Sequence, residues 1–171
     1  LDEIKASKIS ASQTHANTVH QYGTDYFTIS GTEPVTLIFT GTQQVPLVNA
    51  TPPSGDFFYA SLPGDESAYS LTREFDLSGL DKATLNFQTW YDIEDGWDYA
   101  YVMVSADNGR SFHILPTTSS TRESPQGNSL GPGFTGKSGS GEVPVWQTET
   151  ADLSAYAGQT ILLRFQTVTD G

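Results

Sequence analysis

Asp92-Ile93-Glu94-Asp95-Gly96-Trp97-Asp98 places four carboxylates within seven residues. Charges this crowded repel one another unless a cation or water screens them. Calcium takes about six to eight oxygens in irregular geometry, drawn from side chains, carbonyls and water. A loop joining two strands can supply side-chain and carbonyl oxygens together. Further acids stand at other joints: Asp65 and Glu66 follow Gly64, and Asp170 ends the last apolar run. Two or three such joints gathered at one end of a fold would make a calcium cage. The spacing is not that of an EF-hand, which needs alternating acids, a central Gly and a Glu at loop position twelve. As pattern alone, it serves a calcium loop and a solvated acidic turn equally well.

Catalytic arrangements find less support. The three histidines are His15, His20 and His113. His15 and His20 stand five apart, so no His-Glu-x-x-His zinc centre can be assembled. Paired carboxylates could serve a glycosidase as acid and base, but that chemistry needs a cleft between them. Clustering within one loop suits a cation better. The glycines of Gly131-Pro132-Gly133 and Gly139-Ser140-Gly141 form no dinucleotide fingerprint. We therefore expect no catalytic centre in this chain.

Short β-rich runs must position these groups. Alternation or β-branched and aromatic content marks 19–29, 35–40, 57–62, 69–77, 83–91, 97–105, 146–152 and 160–168. No long segment carries a helical period. The expected fold is all-β, an antiparallel jelly-roll β-sandwich over residues 19–171, preceded by a polar arm or linker over 1–18. Residues 117–144 hold six glycines and little apolar content, and are expected to form a long flexible loop. Asn108-Gly109 accepts the backbone of a tight hairpin. The surrounding Ser105–Phe112 is similar to the Asp-box hairpin of sialidases, a structural element in which the Asp caps the turn and a ring packs beneath it.

Two stretches echo one another. Asp76-Leu77-Ser78 leads to Phe87-Gln88-Thr89, and Asp152-Leu153-Ser154 leads to Phe165-Gln166-Thr167. Alternation turns Leu85 and Phe87 inward in the first copy, and Leu163 and Phe165 in the second. Asp92 and Asp170 would then close equivalent strands. Alternation also sets Trp97, Tyr99, Tyr101 and Met103 on one face of a strand. Exposed, those rings would make a platform for sugars, which gives a second reading as a carbohydrate-binding module. Packed, both faces would lie inside the sandwich.

Composition narrows the partners. The chain has 171 residues with 20 acids against 8 bases, a net charge of −12. Nucleic acid needs clustered Lys and Arg, so none is expected as a partner. Cations are favoured. The absence of cysteine excludes disulfides and thiolate zinc sites. No apolar run approaches the ~20 residues of a membrane span. The chain begins at Leu1 and reads as a piece of something longer.

The combined motifs resemble a known family. Trp90-Tyr91-Asp92-Ile93-Glu94, Trp97-Asp98-Tyr99-Ala100-Tyr101-Val102, Gly131-Pro132-Gly133-Phe134-Thr135-Gly136 and Asp152-Leu153-Ser154-Ala155-Tyr156-Ala157-Gly158 are similar to the accessory β-domain of immune inhibitor A-type secreted metallopeptidases. Gly64-Asp65-Glu66-Ser67 and Leu162-Leu163-Arg164-Phe165 fit the same pattern. The resemblance covers residues 19–171. It implies a MAM-like jelly roll beside a covalently linked zinc peptidase domain, secreted or at the cell surface of a bacterium or archaeon, with a structural or glycan- or surface-targeting role. It also implies calcium as cofactor, with Asp65 or Glu66, Asp92, Glu94, Asp98 and Asp170 as ligands. The family's zinc motif is absent here. Its chain usually runs on past Asp170-Gly171 into a strand that closes the sandwich, so the closing strand is expected to be missing.

Overall fold

The computed structural model describes residues 5–19, 23–43, 47–48 and 50–171, which fall into two compact units, Leu1–Pro46 and Leu47–Gly171. In the first unit, β1 (Ser7–Ile9) pairs in parallel with β2 (Phe27–Ile29), Ser7 opposite Phe27 and Ile9 opposite Ile29. A strand therefore forms within the stretch expected to be an unpatterned arm. The run at 35–40 forms no strand, and its Leu37, Ile38 and Phe39 side chains stand in solvent. His20 lies outside the described residues, while His15 packs edge-on against Phe27.

The second unit is built from two antiparallel sheets. One contains β3 (Ala68–Asp76), β8 (Thr160–Val168), β5 (Tyr99–Ser105) and β6 (His113–Leu115), in that order. The other pairs β4 (Thr84–Thr89) with β7 (Gln147–Asp152). Alternation explains these strands. On β8, Ile161 and Leu163 point to the interior and are buried, with Phe165 following at the same parity. On β4, Leu85, Phe87 and Thr89 are covered, while Thr84, Asn86 and Gln88 face water. Val102, Val104, Leu115, Ala151 and Leu153 complete the core. The two sheets meet where Phe87 stands edge-on to Phe165, ring centroids 5.0 Å apart. This is an all-β sandwich, as the alternation leads one to expect.

Four differences from the sequence reading follow from pairing rather than from patterning. The run at 57–62 forms no strand, although its Phe58 ring packs on Trp146 at 5.5 Å. The hairpin expected at Asn108-Gly109 forms, but its return strand β6 is only three residues long and the turn is wide, Val104 pairing with His113. β6 also pairs Ile114 with Met103. On β3, an outer strand of its sheet, Leu71 and Phe75 share the face of Phe165 and Ile161 yet remain 40 % and 36 % exposed. Finally, the 117–144 segment is not loose. Its Pro132, Gly133, Phe134, Gly136 and Ser138 are buried. Backbone bonds join Ala100 to Phe134, Thr121 to Gly133, Ile93 to Gly136 and Ser138 to Tyr91. Among the described residues, no helix is long and apolar enough to cross a membrane.

Candidate functional site

Strand register decides which acids meet. Across the four-stranded sheet, Val168 lies between Ala68 of β3 and Tyr99 of β5. One or two residues beyond that row, the chain presents Glu66, Asp98 and Asp170 from three neighbouring strands. They are tied by hydrogen bonds that backbone N–H groups donate, one to a carbonyl and one to a carboxylate. The Glu66 N–H donates to the Asp170 carbonyl at 2.7 Å, and the Asp170 N–H donates to Asp98 Oδ1 at 3.1 Å. Thr169 locks the same joint. Its hydroxyl donates to the Gly64 carbonyl at 2.7 Å and accepts the Ser67 N–H at 2.9 Å. The turn holds Glu66 at a φ of 49°, in the left-handed region. Glu66 lies against Gly171, where an added Cβ would come within 3.0 Å of its Oε1. Asp65 is exposed in this turn, its carbonyl accepting the Ser67 hydroxyl.

Asp92 and Glu94 belong to a different joint. Asp92 bridges Lys137 in antiparallel fashion, and Ile93 donates to the Gly136 carbonyl. The Glu94 carbonyl accepts the Asp98 N–H at 3.0 Å and the Thr135 hydroxyl at 3.2 Å. Gly96 sits at a φ of 75°, with Pro125 only 2.8 Å from where a Cβ would be. The 92–98 turn is thus braced by the 123–137 segment. Asp92 and Asp170, equivalent in the sequence echo, end up in unlike surroundings. Asp98 links the two joints: its N–H serves Glu94 and its carboxylate serves Asp170. Among the described residues, no group of three or more His, Asp or Glu side chains gathers so as to hold a metal ion.

The aromatic face is packed. Tyr99 and Tyr101 are 1 % and 2 % exposed, and Val102 and Val104 on the opposite face are buried as well. The 117–144 segment covers the tyrosines. The Leu130 N–H donates to the Tyr101 phenol at 2.9 Å, and the Tyr99 phenol donates to the Glu123 carbonyl at 3.1 Å. Burial pushes the Tyr99 phenol above its ordinary pKa. Of the alternative, an exposed stripe of rings, only Trp97 remains, 43 % exposed beside a cavity of about 80 Å³ that Asn128 and Asp170 help to line.

Glu149 is an acid that sequence reasoning passed over. It is 1 % exposed. Its Oε2 accepts the Ser119 N–H at 3.0 Å, and its Oε1 accepts the Ser119 hydroxyl. A buried charge needs such partners. Burial, with the Glu149 charge as a second cause, raises the pKa of the Tyr91 phenol. The available signal was parity, since Glu149 shares the inward face of β7 with Ala151. The aspartates of the two Asp-Leu-Ser repeats are turn caps instead. Asp76 accepts the Ser78 N–H at 2.9 Å and Asp152 accepts the Ser154 N–H at 2.8 Å. The Ser78 and Ser154 side chains, together with these N–H bonds, hold both carboxyls below their usual range.

The sequence matches the model of the immune inhibitor A-like MAM domain over residues 34–171. Two curated relatives, both named pre-pro-metalloprotease PrtV, come from Vibrio cholerae serotype O1, strains M66-2 and El Tor Inaba N16961. Each is 33 % identical over 120 residues, which is 70 % of this chain and 12 % of the relative. The chain thus spans about an eighth of the length of the curated relatives it matches. Packed tyrosines, braced acidic turn and family match agree, and the chain belongs to the immune inhibitor A-like MAM domain family.

Proposed function

We propose that this chain is a non-catalytic accessory domain of an exported metallopeptidase, and that calcium stabilises it at the joint of β3, β5 and β8. Family membership supports the accessory role, and the small share of the relatives' length leaves room for a separate peptidase domain. The observation carrying the calcium reading is the pair of backbone ties that draw Glu66, Asp98 and Asp170 to one end of the sheet. The donor chemistry fits. Carboxylates and carbonyls are hard oxygen ligands suited to calcium, whereas zinc prefers imidazole and thiolate. Calcium also accepts carbonyls and water, so it does not require three converged carboxylates. Glu66, Asp98 and Asp170 would hold the ion, and Asp92 and Glu94 would steady the adjoining turn. The ion would supply charge neutralisation and no bond-breaking chemistry.

Thermal unfolding tests this. The purified chain should melt several degrees higher in millimolar calcium than in EDTA, with magnesium giving little effect. Asp98→Asn combined with Asp170→Asn should remove the difference. An unchanged melting temperature with and without calcium would sink the metal assignment and leave the accessory role standing. Peptidase activity from the purified chain, abolished by mutating its own acidic residues, would sink the accessory role.

A further inference from the structure

A cavity of about 360 Å³ opens at the far end of the four-stranded sheet from the Asp98–Asp170 joint, where Leu162 of β8 faces Glu74 of β3 and Ser105 of β5. That volume lies within the range of small-molecule sites, about 300–1,000 Å³. Leu162 and Ala106 give it an aliphatic floor. Glu74 borders it on the β3 side, and Asp107, Asn108, Arg110 and Thr160 form the rest of the rim, with Ile161 beneath.

The rim is pre-organised. In the hairpin after β5, the Asp107 carboxylate accepts the Ser111 N–H at 2.9 Å and both the Ser105 and Ser111 hydroxyls. The Gly109 N–H donates to the Ser105 hydroxyl at 2.8 Å. These bonds fix the loop carrying Asn108 and Arg110 before any ligand arrives, which lowers the ordering cost of binding. On the same face of β8, Arg164 is already engaged. Its guanidinium lies 3.6 Å from the Phe112 ring centroid, and its Nε–H donates to the Thr72 hydroxyl. The exposed guanidinium of Arg110 is therefore the cation offered to the groove, with the exposed carboxylate of Glu74 as an anion on the opposite border.

A guanidinium fork matches a carboxylate in a bidentate manner, and a carboxylate matches an ammonium. Asp107, the other carboxylate of the lining, is already engaged by Ser105 and Ser111. The groove therefore offers one guanidinium and one unengaged carboxylate over an aliphatic floor, which suits a ligand that is charged at both ends and apolar between them. The net charge of −12 disfavours a purely anionic ligand. We propose that this groove binds short peptides with free termini: the C-terminal carboxylate on Arg110, the N-terminal ammonium on Glu74, and an aliphatic side chain over Leu162 and Ala106. The site shares no residue with the acidic joint and does not depend on calcium.

The test is a calorimetric or NMR titration of the full chain, in EDTA and again in calcium. The probes are alanyl-leucine, N-acetyl-alanyl-leucine, alanyl-leucinamide and glucuronate. Alanyl-leucine should saturate the site equally in both buffers, with each blocked peptide at least tenfold weaker. Arg110→Ala should erase the preference over the amide, and Glu74→Gln the preference over the acetylated form. Both side chains are exposed, so neither variant should perturb the fold. Absence of saturation up to about 10 mM alanyl-leucine, equal binding of all peptides, or preferential binding of glucuronate would each overturn the proposal.

Discussion

Phe87 and Phe165 occupy the same place in the two copies of the Phe-Gln-Thr echo, and in the folded chain their rings meet edge to face, 5.0 Å between centroids. The repeat thus marks the two strands that press the sheets together. An edge-to-face pair adds about 0.5–1.5 kcal/mol beyond burial. Both rings are only partly buried, which places the cost of truncation below the ~3–5 kcal/mol of a fully enclosed Phe. Phe87→Ala should cost about 2–3 kcal/mol. Urea unfolding should show it as a lower midpoint at constant slope; a changed slope would mean that the two-state assumption had failed.

Glu149 should behave as a structural clamp. Glu149→Ala removes the charged acceptor of two hydrogen bonds from the exposed Ser119, at a cost of about 1.5–3 kcal/mol before any cavity term. Glu149→Gln retains one oxygen and should cost less. If denaturant midpoints rank the two variants in the opposite order, the clamp is wrong.

Acid should loosen the turns before it melts the core. Asp107 is held well below the usual carboxylate range by the Ser111 side chain and N–H, with the Ser105 hydroxyl adding to them, and Asp76 and Asp152 are lowered by Ser78 and Ser154. A depressed folded-state pKa gives stability that is present above the unfolded value, about 3.9 for Asp, and fades as pH falls below it. Between pH 7 and 5 these three groups should add no slope. Below about pH 4 stability should decline, and Asp107→Asn should flatten that decline. The check is a series of melting curves from pH 7 to pH 2.

Gly96 should resist substitution. Its φ of 75° disfavours any side chain, and Pro125 occupies the space a Cβ would need. Gly96→Ala should cost about 1–3 kcal/mol from backbone strain alone, read by chemical denaturation. Because Asp98 lies two residues on, calcium affinity should fall as well if the metal reading holds.

The strands most legible in the sequence were those whose alternation served a single buried face: β4 through Leu85 and Phe87, and β8 through Ile161, Leu163 and Phe165. Residues 35–40 and 57–62 are rich in β-branched and aromatic side chains, yet form no strand among the described residues. Alternation reports a surface that could be buried, whereas a strand also needs a neighbour with free backbone groups. The acids were legible by type and proximity. Their division into two joints was not, because it depends on Val168 standing between Ala68 and Tyr99, a register that no local pattern encodes. Tyr99 and Tyr101 were ambiguous for a related reason: what covers them is a segment thirty residues downstream.

That covering segment changes how the protein should be handled. Residues 117–144, rich in glycine and serine, are what an engineer would trim first. They roof the two tyrosines, with the Leu130 N–H on Tyr101 and Gly133 so close to its ring that a Cβ there would clash at 2.7 Å. A shortened version would bring two large rings to the surface of a strand and free the edge of β5 where Phe134 now pairs. The result would be a stickier molecule rather than a tidier one.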